Sequence, residues 1–306
     1  MPAAKEQTTP PNLTFKQRVL KEVRGYAEAI AIAYVVITFG FNTVGVVGSS
    51  MQPNLDGGTQ GGSLVTALLT GDRVFIPKYE TWLRRMGVMP EYERGAVVVV
   101  REPANAPTAQ ERDRRPFFIK RVIGVPGDRI RIEDGIVLVN GVAIDDGFIR
   151  DSGEITPDPI QFPLVEVDNG AISGLHVDFG RSRAGTAIPR LPTRLLPPAV
   201  PVNDPSVQLY YGELIDHLVL PPDTANTAVG VRAEVVLPED RYWIMGDNRQ
   251  ISAGGSEDSR YFGSITQLSI AGRGSAVIWP PRRDGEWNWR ALTPPDAFDA
   301  VPDDRR

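Results

Sequence analysis

From Tyr26 to about Val47 the chain is almost continuously apolar (YAEAIAIAYVVITFGFNTVGVV), and about 20 such residues are enough for a helix to cross a bilayer. Thr14 followed by Gln17 reads as a capping box that opens a helix. Lys16, Arg18, Lys21 and Arg24 lie on its first turns. The pattern predicts a polar tail and basic helix start over 1–25 and a transmembrane helix over 26–47. Glu28 sits near its start, within reach of the interface, and Asn42 and Thr43 weaken its far end. A buried core helix and a cleaved leader are the alternatives. Gly40, Gly45 and the β-branched run suit a soluble helix poorly. A leader would have a shorter apolar region and end in a small-residue cleavage site, whereas this stretch runs straight into VVGSSMQP. The basic cluster precedes the span and no second such stretch follows. The positive-inside rule then predicts a single-pass protein of the cell membrane, with a cytoplasmic N-terminus and everything after residue 48 outside.

Beyond the span the pattern changes to short apolar runs punctuated by Gly, Pro and Asp, which predicts a mainly β fold. Strands are expected at Val97–Val100, Phe117–Ile123, Arg129–Ile132, Arg241–Met245 and Ser275–Trp279. IVLVNGVAI (136–144) reads as a hairpin turning at Asn140-Gly141. These elements form a β-rich core over 48–144 and 236–294. The Pro- and Gly-rich stretch 145–235 reads as an inserted, irregular β subdomain, and residues 295–306 as a disordered tail.

Composition narrows the chemistry. The 306 residues are 42% hydrophobic and 23% charged with a net charge of −5, so nothing suggests nucleic acid as a partner. The absence of cysteine excludes disulfides, thiolate metal sites and a cysteine nucleophile. His176 and His217 are the only histidines. Both fall in the insert without a nucleophile elbow or carboxylates at ligand spacing, which points to structural roles and away from a Ser–His–Asp triad or a metal site. The five lysines are Lys5, Lys16, Lys21, Lys78 and Lys120. A buried lysine can lose its proton and an arginine cannot, so a lysine retained in an arginine-rich chain points to a need for a neutral amine.

Three segments could carry chemistry. GSSMQPNL (48–55) places Ser50 in a Gly-flanked, Pro-terminated turn directly after the span, where backbone N–H groups could face an oxyanion. DGGTQGG (56–62) lacks the Gly-Lys-Ser/Thr of a phosphate loop and reads as a flexible loop. In PFFIKRVIGVPGD (116–128), strand alternation puts Lys120 on one face with Phe118 and Val122. Desolvation there would lower its pKa and let it deprotonate a serine hydroxyl. Strand pattern alone also allows the lysine stem to lie along the sheet with its head in water, and that reading stands beside the first. GDNRQISAGGSEDSRYFG (246–263) is dense in turn formers, and Asp258 with Arg260 could pair to brace a loop. Lys78, next to Pro77 at a strand end, suggests a solvated or interfacial role.

GSSMQPNL, GDRVFIPK (71–78), FIKRVIGVPGD (118–128) and GDNR…SEDSRYFG (246–263) occur in the order and spacing that resemble type I signal peptidases, which work through a serine–lysine dyad. The resemblance spans the apolar helix and these four segments but not the insert. It implies a catalytic domain of coiled antiparallel sheets near the membrane, with no metal or cofactor. Expected substrates are signal peptides of secretory preproteins, cleaved after small residues of the Ala-x-Ala type. By the same resemblance Ser50 is the nucleophile, Lys120 the general base and Met51 part of the substrate pocket. Ser256 orients the lysine, with Asp258 and Arg260 in support. An insertion after GDNR leaves Ser252 as a rival to Ser256, whose spacing to Asp258 favours it. Asn54 stands where the family usually has threonine. Gly48 replaces a serine that some members use as an oxyanion donor, so that donor must come from backbone, such as the Ser50 N–H, or from elsewhere. Self-cleaving repressors share a related dyad, but the apolar N-terminus argues against them. A membrane-tethered binding domain with a degenerate dyad is the non-enzymatic alternative.

Overall fold

The computed structural model describes residues 14–58, 69–106, 116–150, 157–181, 187–190, 198–250, 256–283 and 285–302. Expectations for residues 1–13, for the glycine-rich run from 59 onward, for residues 303–306 and for Ser252 lie outside the described residues. An α-helix, Phe15–Val35, opens with the Gln17 side chain accepting the Thr14 N–H at 2.9 Å and continues as a π-helix over Val36–Gly40. These 26 residues extend about 39 Å at 1.5 Å per residue. None of the α-helical part is buried, and the helix is long and apolar enough to cross a membrane.

The helix begins at the capping box, as the sequence predicts, but ends before the expected Val47. It starts at Phe15, where the capping box sits, and stops at Gly40. Phe41–Gly45 forms strand β1, paired antiparallel with β2 (Arg73–Pro77) from Phe41↔Pro77 to Gly45↔Arg73. Thr43, Val44 and the two glycines are poor helix formers, and β2 offers an edge whose ladder satisfies their backbone groups.

After β2 come a short helix, Lys78–Arg85, then β3 (Val97–Arg101), β4 (Phe117–Gly124), β5 (Arg129–Glu133) and the hairpin β6 (Ile136–Val139) and β7 (Val142–Ala143). Asn140 and Gly141 make its two-residue turn, both at positive φ, as the sequence predicts. The next segment supplies β8 (Leu164–Asp168), β9 (Ala171–Leu175), the pair β10 (Asp178–Arg181) and β11 (Ala187–Arg190), and β12 (Val200–Pro201). It continues with β13 (Leu218–Val219), β14 (Ala228–Arg232) and β15 (Glu234–Val236). The chain then returns through β16 (Arg241–Met245), β17 (Ile265–Thr266), β18 (Ile270–Arg273) and β19 (Ala276–Trp279). The fold is mainly β, as expected. The principal sheets run β1-β2-β19 with the short strand Arg290–Ala291 beyond β19, β12-β9-β8-β14, β13-β15-β5-β6-β7 and β17-β16-β4-β3-β18, with antiparallel pairing among the described strands.

The sheet β17-β16-β4-β3-β18 is covered on both faces, which is why β3 reads as an unbroken VVVV run. Val98, Val100, Val122, Ile244 and Tyr242 pack on one side. Val97, Val99 and Ile119 pack on the other with Val46, Met51, Leu55 and Val74. A larger cluster joins Ile130, Val137 and Val235 to Val165, Leu175, Tyr210 and Tyr211, so segment 145–235 shares its core with the strands around it.

Two expectations are corrected. The insert contains an 11-residue helix, Pro205–Ile215, capped by Asp204, whose carboxylate accepts the Ser206 N–H at 2.8 Å. Its buried residues Val207, Tyr210, Tyr211 and Leu214 follow the three-to-four spacing of a helix, a signal present in the sequence. The chain is also ordered past residue 295. Asp296–Phe298 forms a 3₁₀ turn, and Phe298 and Val301 are buried in the large cluster. The aromatic anchor outweighs the polar composition around it.

Candidate active site

The turn carrying Ser50 is held from below and from the side. Met51 and Leu55 are buried in the cluster under β3, and the Leu55 N–H donates to the Met51 carbonyl at 2.9 Å. The turn closes where Gly57 crosses Gly48, since a Cβ on Gly57 would lie 2.1 Å from the Gly48 carbonyl oxygen. Asp72 braces its exit by accepting the Asp56 N–H at 3.0 Å and pairing with Arg283 and Arg290. Ser50 itself is half-buried. Among the described residues it makes one hydrogen bond, through its carbonyl, which accepts the Asn248 N–H at 3.1 Å.

Lys120 lies in β4 opposite Val98 of β3. It is 3% exposed, so the head-in-water reading does not apply, and its Nζ sits 5.3 Å from the centre of the Phe118 ring. Burial lowers its pKa from 10.5 to about 8, against the opposing pull of Asp258, Glu257 and Asp247 and with some help from Arg260. Desolvation therefore outweighs the nearby carboxylates.

The two elements meet at Gly246. Met245 of β16 pairs with Arg121, so Gly246, the next residue, leaves the strand level with Lys120 and on the same face. The space where Gly246 has no side chain is filled from two directions. A Cβ there would lie 2.3 Å from the Ser256 Oγ and 2.3 Å from the Ser50 carbonyl oxygen. The structure thus brings the Ser50 carbonyl and the Ser256 hydroxyl together at Gly246, one residue beyond the Met245–Arg121 pair of the strand that carries Lys120. The Ser50 hydroxyl and the Lys120 amine are not hydrogen-bonded to each other, and the buried Ser256 Oγ has no hydrogen-bond partner among the described residues. Gly246→Ala is expected to lower stability by about 1–3 kcal/mol through overpacking. A thermal melt superimposable on that of the unaltered protein would contradict this close approach.

Charged pairs hold these parts in register. Arg260 donates to both oxygens of Asp258 at 2.8 and 3.0 Å, and the Gly246 N–H donates to the same carboxylate at 3.0 Å. Both side chains are buried. Burial alone would raise the Asp258 pKa, but Arg260, Lys120 and the Gly246 N–H together hold it below the usual carboxylate range. The Tyr211 hydroxyl, from the unexpected helix, donates to the Arg260 carbonyl at 2.9 Å. Met51 is 1% exposed, and what it visibly does here is anchor the turn. His176 and His217 stand in segment 145–235. His176 is buried with its Nε2 3.7 Å from Glu166, while the His217 N–H donates to the Leu214 carbonyl.

Sequence reasoning missed a second pair. Arg121 donates to both oxygens of Asp247 at 2.7 and 2.6 Å and to the Gly95 carbonyl at 2.7 Å, all buried. Asn54, the departure from the usual threonine, donates to Asp247 at 2.9 Å and to the Phe148 carbonyl at 3.1 Å. The available signal was a charge of each sign beside a candidate residue: Arg121 after Lys120, and Asp247 within GDNR.

Fold and centre together define a mainly β protein with one N-terminal helix long and apolar enough to cross a membrane, and with a serine turn packed under a sheet that carries a buried lysine. The family described as signal peptidase, peptidase S26, matches residues 20–279, and the chain belongs to that family. A probable signal peptidase I-2 of Synechocystis sp. is 24% identical over 282 residues, covering 92% of this chain and 81% of that protein. Signal peptidase IB of Staphylococcus aureus is 23% identical over 265 residues, covering 87% and 92%. The crystal structure of a signal peptidase I from Enterococcus faecalis aligns with 60% of this chain and 97% of its own at 16% identity, with a TM-score of 0.30.

Proposed function

We propose that this chain is a membrane-bound serine endopeptidase that removes signal peptides from exported preproteins, with Ser50 as nucleophile and Lys120 as its base. The observation that carries the reading is the buried Lys120 amine, whose pKa burial lowers to about 8, on the strand paired with β16 just before Gly246, where the Ser50 carbonyl and the Ser256 hydroxyl meet. Neutral Lys120 takes the proton from the Ser50 Oγ, which attacks the scissile carbonyl. The resulting oxyanion is met by the Ser50 N–H, which has no acceptor among the described residues. Lys120 then protonates the leaving amine, and water releases the acyl group from Ser50. Ser256 orients the amine, Asp258 and Arg260 keep Ser256 and Gly246 in place, and Met51 supports the pocket. Shallow pockets admit small residues at positions −1 and −3. The helix Phe15–Gly40 anchors the domain with the N-terminus cytoplasmic and the β-rich part on the outer side.

Purified full-length protein in detergent is expected to cleave a short Ala-x-Ala peptide, and Ser50→Ala to lose that activity. The rate should rise with pH around an inflexion near 8, because raising pH unmasks the free amine; at pH 7 only about a tenth of Lys120 is neutral. A flat profile between pH 6 and 10 would remove Lys120 from the mechanism. Absence of turnover in the unaltered protein would favour a binding domain.

A further inference from the structure

The helix Lys78–Arg85 is built inside out. Its polar residues Glu80 and Thr81 are buried: Glu80 pairs with Arg84 and Arg273, and the Thr81 hydroxyl donates to the Ala271 carbonyl. Tyr79 and Trp82 on the helix, and Met86 and Val88 just beyond its end, face outward and are between 46% and 68% exposed, while Leu83 is half-buried. A surface helix in water normally shows the reverse arrangement, and clustered exposed apolar side chains mark a surface with an apolar partner.

Topology says what that partner is. Phe41 pairs with Pro77, so the end of the apolar N-terminal helix and the start of Lys78–Arg85 leave the same end of the β1–β2 ladder. The Phe39 ring, in the last turn of the apolar helix, lies 6.2 Å from the Trp82 ring. Wherever that helix leaves the bilayer, Lys78–Val88 is held at the same depth. Tyr and Trp with nearby cations suit the headgroup layer, and the Arg85 guanidinium sits 6.0 Å from the Trp82 ring.

The geometry points to Lys78–Val88 as an interfacial docking element that inserts Tyr79, Trp82, Met86 and Val88 into the bilayer surface and fixes the height of the β domain above it. This rests on reading Phe15–Gly40 as a membrane span, but it does not depend on peptidase activity.

The chain has no cysteine, so single-cysteine variants of the full-length protein can carry a nitroxide at one position. Trp82→Cys and Met86→Cys would be compared with Ile32→Cys in the apolar helix and Val229→Cys, exposed on β14. The host is phosphatidylcholine vesicles containing phosphatidylglycerol, at low protein-to-lipid ratio. Labels at 82 and 86 are expected to favour collisions with oxygen over a water-soluble nickel chelate by several-fold relative to 229. If 32 reports lipid while 82 and 86 match 229, the docking proposal falls and the span survives. If 32 also reports water, both fall. Spin–spin broadening at 82 that disappears on dilution with unlabelled protein would assign the surface to a second copy and overturn the proposal.

Discussion

Replacing Lys120 by methionine is expected to abolish peptide turnover, by about 10³-fold or more, and at the same time to raise the melting temperature at pH 7. The amine titrates at about 8 in the folded protein and 10.5 otherwise. Between those values the unfolded chain binds more protons, so stability increases with pH across that window. Below pH 8 the folded state carries the full penalty of holding a charge out of water, about 3 kcal/mol for a shift of this size. Methionine fills similar volume without a charge, so the penalty is removed. A gain of several degrees is expected in thermal melts of the detergent-solubilised protein, shrinking as pH rises from 8 to 10.5. A variant that melts lower at pH 7 would show that the ammonium is well solvated or well paired, and the basis for a neutral lysine would be gone.

The second large effect concerns the pair beneath the site. Asp258→Ala leaves the Arg260 guanidinium buried without its carboxylate and strips the Gly246 N–H of its acceptor. A cost of about 3–5 kcal/mol is expected, because breaking a buried pair strands the remaining charge. Replacing both partners at once, Asp258→Leu with Arg260→Met, should recover most of that loss in denaturant unfolding, since no charge is then left unpaired. If the double variant is as unstable as the single one, packing rather than charge holds this loop. Both measurements read stability, so they stand whether or not the protein cleaves peptides.

Much of this arrangement was legible along the chain. Strand β16 lies where its pattern predicts, Asn140-Gly141 turns the hairpin, and Lys120 shares a face with Phe118 and Val122 because alternation in a strand is strictly local. The helix Pro205–Ile215 is hard to see in the sequence because a proline-rich neighbourhood masks its Asp204-Pro205 start. Phe41–Gly45 looks like the end of the apolar helix in the sequence because hydropathy does not distinguish such a helix from a strand that continues it. The burial of Phe298 and Val301 has no periodic signal in the sequence, where a single phenylalanine stands in a polar stretch.

The sequence by itself determined the apolar helix, the antiparallel β class and the four segments that hold the candidate chemistry. Whether Lys120 was covered or wet, and which partners Asp258, Arg121 and Asp247 would choose, was settled only by the tertiary structure. The reason is physical: strand periodicity says which face a side chain takes, but desolvation depends on what other segments lay over that face. Gly246 is the plainest case. In the sequence it is a turn former, and in the fold its missing side chain is the space into which the Ser50 backbone and the Ser256 hydroxyl pack, level with Lys120.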